Sequence, residues 1–403
     1  MDTADLRVAL FSGNYNYVRD GANQALNRLV DFLLRQGAAV RVYAPVVPQP
    51  AFAPTGDLVG VPAVPIPFRS EYRFPLGLSA KNTADLAKFA PTVLHLASPD
   101  PTAHAALRWA EARHLPVLGS VHTRFETYPR YYGMAFAEPW LERILKRFYN
   151  RCDALVAPSE SMAEVLREQG MSSDIEIWSR GVDRDIFDPS RRDLEWRRSL
   201  GIEDDDVVVG FLGRVVMEKG LDVFADTVSR LRSQGVPHKV LVIGKGPAHD
   251  WFAERVPGAI FAGMLTAGDL GRAVASMDML LNPSVTETFG NVTLEAMASG
   301  LPVIAARATG STSLVVDGDT GRLVEPGNIT AFAEVVETYI RNADLRQKHG
   351  SAGEVRSRTY SWDAINGSVA DLYVRLAERK ALVSAAPRQR PSAAHSTTAQ
   401  RSG

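Results

Sequence analysis

A single cysteine, Cys152, occurs in the 403-residue chain. That near-absence excludes an intrachain disulfide and a cysteine-based zinc site, and it fits a reducing compartment. Cys152 itself reads as a small buried apolar residue rather than a reactive thiol. Charge of one sign is equally lacking. Forty-five lysines and arginines stand against 46 aspartates and glutamates, a formal net charge of −1. No global field therefore points to a nucleic acid partner, and any anionic ligand has to be met locally. No apolar run reaches the roughly 18 residues of a membrane span, and "MDTADLRVALFSG" lacks the charged-then-apolar layout of a signal peptide. The expectation is a cytoplasmic protein, with the inner face of the membrane open to it. The chain has neither a GxxxxGK[ST] phosphate loop nor a full GxGxxG fingerprint, so nucleotide hydrolysis by the P-loop route is not expected. No metal site stands out: "DRD" (183–185) and "DGD" (317–319) sit in turn-like contexts and read as turns.

What is present is a rhythm of strands and helices. The length calls for two or three domains, since single cores rarely grow past roughly 250 to 300 residues. "LRVALFSG" (6–13), "NQALNRLVDFLLRQG" (23–37) and "AVRVYAP" (39–45) read as strand, helix and strand, which makes a βαβ unit with a parallel sheet. "TVLHLAS" (92–98), "PVLGSVH" (116–122) and "ALVAPS" (154–159) continue it as strands, with a helix over 102–114. Near residue 190 the chain turns polar and loses its strand signal. The rhythm then restarts with strands in "VVVGFLGR" (207–214), "KVLVIGKGP" (239–247), "AIFAGML" (259–265), "MLLNPS" (279–284) and "PVIAA" (302–306). The fold class is therefore α/β, with two tandem doubly wound, Rossmann-like domains facing across a cleft. They cover residues 1–190 and 191–383, the last helix being free to pack back on the first, and the Ala/Ser/Pro-rich segment 384–403 is expected to be a disordered tail. Open parallel sheets bind ligands at the carboxyl ends of their strands, which puts the site in the cleft.

Several stretches could carry chemistry there. In "GRVVMEKG" (213–220), Gly213 lets the backbone turn sharply while Arg214 and Lys219 supply two cations suited to a diphosphate. "GKGP" (244–247) adds Gly244 and Gly246 as a backbone cradle near a nucleotide. In "ETFGNVTLE" (287–295), Glu287 precedes a helix start near Gly290 and Glu295 lies about a turn and a half inside the helix. Their spacing along the axis is roughly 12 Å at about 1.5 Å per residue. The paired carboxylates of glycosidases lie only about 5 to 9.5 Å apart, so these two grip the ends of an elongated ligand rather than flank one bond. The helix start between them offers free N–H groups to an anion. In the first domain, Gly21 in "SGNYNYVRDGANQAL" (12–26) could approach a phosphate with Arg19 nearby, and His122 closes a strand at the cleft. Each of these also has a plain reading, as a solvated loop or a hydrogen-bonded structural side chain.

Taken together, "GRVVMEKG", "GKGP" and above all "ETFGNVTLEAMASGLPVIA" resemble the retaining nucleotide-sugar glycosyltransferases of family four, which have the GT-B fold. The likeness runs from about residue 6 to 375, and the glutamate pair matches that family's E-x7-E signature. The resemblance implies that Arg214 and Lys219 hold the donor diphosphate, Glu287 bonds the donor sugar hydroxyls, and Glu295 binds the ribose diol. It also implies that peptide N–H groups around Phe289, Gly290 and Asn291 line the sugar and phosphates. By the same resemblance Gly21 and its loop would close over the phosphates, and His122 would sit beside the transferred sugar. "HTRFETYPRYYG" (122–133) and "WSRGVDRDIFDP" (178–189) are similar to the branch holding GDP-mannose-dependent α-mannosyltransferases and sulfoquinovosyl-diacylglycerol synthases, which implies a lipid acceptor. The first-domain loop departs from the family in reading "NYVRDGANQAL" rather than a run of glycines.

The expected activity is hexosyl transfer with retention, mannose favoured, from a GDP-sugar or UDP-sugar to a lipid hydroxyl, with no metal or other cofactor and no nucleic acid partner. A soluble or polysaccharide acceptor served from a UDP-sugar, and a sugar-nucleotide sensor without turnover, remain as alternatives. "WLERILKRFYNRC" (140–152) puts Trp140, Leu141, Ile144, Leu145, Phe148 and Tyr149 on one helical face and Arg143, Lys146, Arg147 and Arg151 on the other. Such a helix either lies in an anionic membrane surface or packs its apolar side on the first domain.

Overall fold

The computed structural model describes residues 1–18, 20–66, 69–122, 136, 138–171 and 173–385. In its first half the strands are β1 (Arg7–Phe11), β2 (Ala39–Ala44), β3 (Asp57–Gly60), β4 (Ala63–Ile66), β5 (Arg69–Pro75), β6 (Val93–Leu96), β7 (Val117–Ser120), β8 (Ala154–Ala157) and β9 (Asp174–Ile177). All but β4 and β5 form one parallel sheet in the order β3-β2-β1-β6-β7-β8-β9; those two make a separate antiparallel hairpin. The central strands are buried on both faces, which is why "VALF" reads as an unbroken apolar run and "VLHL" as one interrupted only by His95. Helices α1 (Gly21–Arg35), α2 (Ala80–Phe89), α3 (Pro101–Glu111), α4 (Glu138–Tyr149) and α5 (Glu160–Glu168) cover the faces.

Local chemistry sets the helix starts. Asp20 accepts from the Asn23 backbone N–H while the Asn23 side chain accepts from the Asp20 N–H, a reciprocal cap that begins α1 two residues before the apolar periodicity does. Asp100 caps α3, and Pro101 takes the first helical position, where no N–H is needed.

Around residue 190 come a short turn at Pro189–Arg191 and then helix α6 (Leu194–Ser199), held by the fully buried Arg197, which bonds Asp278 and the carbonyls of Ser276 and Asp206. The second sheet comprises β10 (Val208–Leu212), β11 (Lys239–Ile243), β12 (Ile260–Gly263), β13 (Met279–Asn282), β14 (Val303–Ala306) and β15 (Gly321–Val324), parallel in the order β12-β11-β10-β13-β14-β15. Its helices are α7 (Leu221–Ser233), α8 (His249–Arg255), α9 (Ala267–Ala275), α10 (Asn291–Ala298), α11 (Ser311–Leu314), α12 (Ile329–Arg341) and α13 (Ala343–Ser357). The last helix, α14 (Trp362–Ala385), leaves this half and buries Val369, Leu372, Tyr373 and Leu376 in the first core beside Leu29 and Leu33 of α1. It runs two residues past 383, so the expected tail begins inside a helix; residues 386–403 lie outside the described residues. The two parallel sheets thus make an α/β molecule of two Rossmann-like halves, the GT-B architecture.

Candidate active site

The cleft wall of the second half is built from the segments that leave the carboxyl ends of β10, β11 and β13. Beyond β10 the chain makes a short turn, Met217–Lys219, and beyond β13 a loop ends at Gly290, whose φ of +98° suits glycine and starts α10. These two segments bring Lys219 and Glu287 together at 2.5 Å, both partly buried. Arg214 is exposed, and its guanidinium makes no hydrogen bond or ion pair among the described residues. Among the described residues no side chain caps α10, so its first N–H groups remain available to an anion. One turn and a half inside α10, Glu295 is partly buried; desolvation, with the nearby Glu287 charge a smaller cause, pushes its carboxyl up to about 7. Phe289 turns its ring into the core against Tyr360, leaving only its peptide group to the cleft.

Gly244 and Gly246 are glycines for a reason the sequence did not reveal. A Cβ on Gly244 would lie 1.8 Å from the Gly213 carbonyl oxygen, and one on Gly246 2.2 Å from that of Val215. The two loops are zipped together by Gly213 N–H to Ile243 O and Val215 N–H to Lys245 O. Beside them opens a cavity of about 390 Å³ lined by Gly244, Lys245, Gly246, His249, Phe261 and Gly263. Lys245, just after β11, His249, at the start of α8, and Phe261, within β12, escaped sequence reasoning.

The first half supplies the facing wall. A Cβ on Gly21 would lie 2.5 Å from Asn291 Nδ2, so the N-termini of α1 and α10 meet across the cleft. Asp20, the cap of α1, is held above the usual carboxylate range by burial, and Arg214 is close enough to oppose that rise. His122 follows β7. Its Nε2 is 2.9 Å from Ser120 Oγ, its Nδ1 is 2.8 Å from Arg180 Nη2, and its ring packs edge-on to Trp178. Burial first, and the Arg180 cation second, keep the imidazole well below its usual pKa and therefore neutral. The cleft is pinned shut at its back: Thr288 Oγ1 donates to the His122 carbonyl, Ser159 Oγ donates to the Thr288 carbonyl at 2.7 Å, and Ser161 and Ser313 hydroxyls meet at 3.0 Å. Arg19 and the rest of "HTRFETYPRYYG" lie outside the described residues.

Both Asp-x-Asp pairs are tied into turns. Asp183 pairs with Arg28, and Asp317 with Arg307 and Arg322. Among the described residues no group of three or more His, Cys, Asp and Glu side chains is arranged to hold a metal ion. The Cys152 thiol is buried and pushed up to about 12 by desolvation, which leaves it inert.

Helix α4 divides its apolar face. Leu145, Phe148 and Tyr149 pack into the first core, Leu141 and Ile144 are half-buried, and Trp140 is exposed, as is Phe136 just ahead of the helix. Arg143, Lys146 and Arg147 face solvent, while Arg151 is committed to Glu111. No helix among the described residues is long and apolar enough to cross a membrane.

Comparison with known proteins gives concordant results. The profile of Glycosyltransferase Family 4 matches residues 19–186, and that of glycosyl transferases group 1 matches residues 206–342. A GDP-mannose-dependent alpha-mannosyltransferase of Mycolicibacterium smegmatis is 30% identical over 381 residues, 94% of this chain and 99% of the relative. Sulfoquinovosyl transferase SQD2 of Arabidopsis thaliana is 29% identical over 369 residues, 89% of this chain and 71% of the relative. Among solved structures, sucrose-phosphate synthase from Thermosynechococcus elongatus superposes with a TM-score of 0.77 at 19% identity, covering 92% of this chain and 99% of the other. HepE of Anabaena, in complex with UDP and glucose, gives 0.71 at 19% identity, covering 92% and 99%.

Proposed function

Because the chain belongs to glycosyltransferase family 4, and is thus a hexosyltransferase that uses a nucleotide sugar, we propose that it moves mannose from GDP-mannose to a hydroxyl of a membrane lipid with retention at the anomeric carbon. The observation that carries this reading is the Lys219–Glu287 pair beside Arg214, at the start of α10, where among the described residues Arg214 has no partner and α10 no side-chain cap. Two cations and a helix N-terminus meet a diphosphate there, and the acid stands where a sugar hydroxyl would need an acceptor. Glu295, further along α10, takes the ribose diol, and the cavity beside Gly244 takes the base. The diphosphate charge is balanced by Arg214, Lys219 and the helix rather than by a metal ion.

In the proposed step the bond from the anomeric carbon to the donor phosphate oxygen breaks as the acceptor oxygen attacks from the same face. The departing phosphate oxygen receives the acceptor's proton. Arg214 and Lys219 stabilise the charge that develops on that oxygen, a contribution that grows toward the transition state and so accelerates the step.

Mannose is favoured by relatives named GDP-mannose-dependent mannosyltransferases. A lipid acceptor is favoured by exposed Trp140 and Phe136 beside Arg143, Lys146 and Arg147, an apolar and basic patch suited to peripheral contact with the inner face of the cytoplasmic membrane. The sulfoquinovosyl transferase relative supports a second reading, in which the sugar moved is not mannose; a UDP-sugar is then the alternative donor. A sensor without turnover has no need of the full Arg214, Lys219, Glu287 and Glu295 set. Thermal unfolding with GDP and with UDP, each at roughly a hundred times its dissociation constant, tests the donor. Binding adds about 2.7 kcal/mol, and each kcal/mol raises the midpoint by roughly 2 to 4 °C in domains of this size. A rise with GDP alone supports mannose, and a rise with UDP alone overturns it.

A further inference from the structure

We propose that Arg180 is a positioning residue of the transfer site: it locks His122 into one neutral tautomer and, through the His122 carbonyl, seats the Thr288 side of the Glu287 loop against the first half. The inference rests on the reading of Glu287 as part of the transferase site. Arg180 lies 58 residues from His122 in sequence, after β9, and is 4% exposed. Its Nη1 donates to the carbonyls of Trp178 and Ser179 at 2.8 and 3.1 Å, its Nη2 reaches His122 Nδ1, and its guanidinium stacks over the Trp178 ring.

The proton pattern follows from elementary bonding capacity. A guanidinium has donors only, so His122 Nδ1 must accept and the ring proton must sit on Nε2. Nε2–H then donates to Ser120 Oγ, the Ser120 hydroxyl donates to His95 Nε2 at 2.8 Å, and the His95 Nδ1–H donates to the Tyr373 oxygen on α14. One buried cation thereby orients a chain running from the cleft to the terminal helix. Protonating His122 would break its bond to Arg180 and press two cations together. Arg180, His95, Ser120, Trp178 and Thr288 are the groups that face His122, and Asp20 is the acid whose charge supports Arg180.

The effect reaches the reacting groups through the backbone. The His122 carbonyl accepts from Thr288 Oγ1 at 3.0 Å, and Thr288 follows Glu287, the partner of Lys219. A loosened His122 would therefore shift the acid relative to the diphosphate side of the cleft, where small displacements are costly in rate.

The test is nitrogen-15 imidazole spectroscopy of the full chain, with His122 assigned by its loss in His122→Gln, paired with transfer kinetics. Wild-type His122 is expected to carry its proton on Nε2 and to stay neutral from pH 8 to pH 5.5. Arg180→Met is expected to lose that single tautomer, to lower kcat on the order of tenfold with little change in donor KM, and to gain an acid limb in the kcat profile. Arg180→Lys, which keeps a donor to Nδ1, is expected to restore much of both. A proton on Nδ1 or an ordinary titration in wild-type protein overturns the proposal whether or not the Met variant folds. So does a folded Arg180→Met with an unchanged spectrum and pH profile. Absence of any transferase activity would instead overturn the functional reading, because the spectrum reports on Arg180 and His122 without turnover.

Discussion

Lys219 Nζ lies 2.5 Å from Glu287 Oε1, so the cation assigned to the leaving diphosphate and the acid assigned to the donor sugar are partners in one ion pair. The pair joins a turn after β10 to the loop before α10, and either member removed leaves the other partly buried without its counter-charge. Glu287→Gln is expected to lower kcat by about 10² to 10³ with donor KM changed only a few-fold, and Arg214→Ala to lower kcat comparably. Steady-state kinetics check both. A Gln variant whose KM rises as much as its kcat falls would contradict the assignment of Glu287 to the transition state.

Glu295 makes a different prediction because its carboxyl is raised from 4.5 to about 7. Between those values the folded protein holds a proton that the unfolded chain has released, so stability falls as pH rises through that window. Glu295→Gln removes the dependence and should be the more stable protein above pH 7, by at most about 3 kcal/mol or several degrees of unfolding midpoint. It should also weaken nucleotide binding. Parallel stability profiles of wild type and variant from pH 4.5 to 7.5 would refute this.

Gly244 is expected to tolerate no side chain. Its φ is +136°, and an added Cβ would collide with the Gly213 carbonyl oxygen. Gly244→Ala should cost about 3 kcal/mol, since the clash is with backbone that has nowhere to move. Denaturant unfolding measures it, and a loss under about 0.5 kcal/mol would show that the two loops are not packed as described.

The exposed end of α4 is expected to bind anionic vesicles. Trp140→Ala combined with Arg143→Glu should reduce co-sedimentation with phosphatidylglycerol vesicles severalfold while leaving the fold intact, because neither side chain packs in the core. Equal binding by variant and wild type would remove the membrane role.

The legible parts of this molecule are those encoded locally. Short apolar runs announced β1, β6, β10, β11 and β13, and the helix start expected near Gly290 is where α10 begins. Three edge strands were missed, although the edge strand β12 was read from "AIFAGML". "DLVG" (57–60) and "DIEI" (174–177) mix charged with apolar residues because each pairs on one side only, and "GRLV" (321–324) exposes Arg322. The hairpin at 63–75 contains three prolines, which masks a strand signal. Helix α4 read as amphipathic, yet its pattern alone could not divide the apolar face between core and solvent. Arg180 was invisible for another reason: nothing in "WSRGVD" shows that its arginine will meet a histidine brought from β7 by the sheet. The glycines of "GKGP" were noticed for ligand approach, whereas contact between two loops is what forbids a side chain at each.

The most direct measurement is transfer of radiolabelled mannose from GDP-mannose by the full chain in a membrane extract, followed by phase separation and by determination of the anomeric configuration of the product. The account predicts label in the organic phase, joined through an α-linkage, and its loss with Glu287→Gln. Label confined to the aqueous phase, or donor bound without transfer, would contradict it.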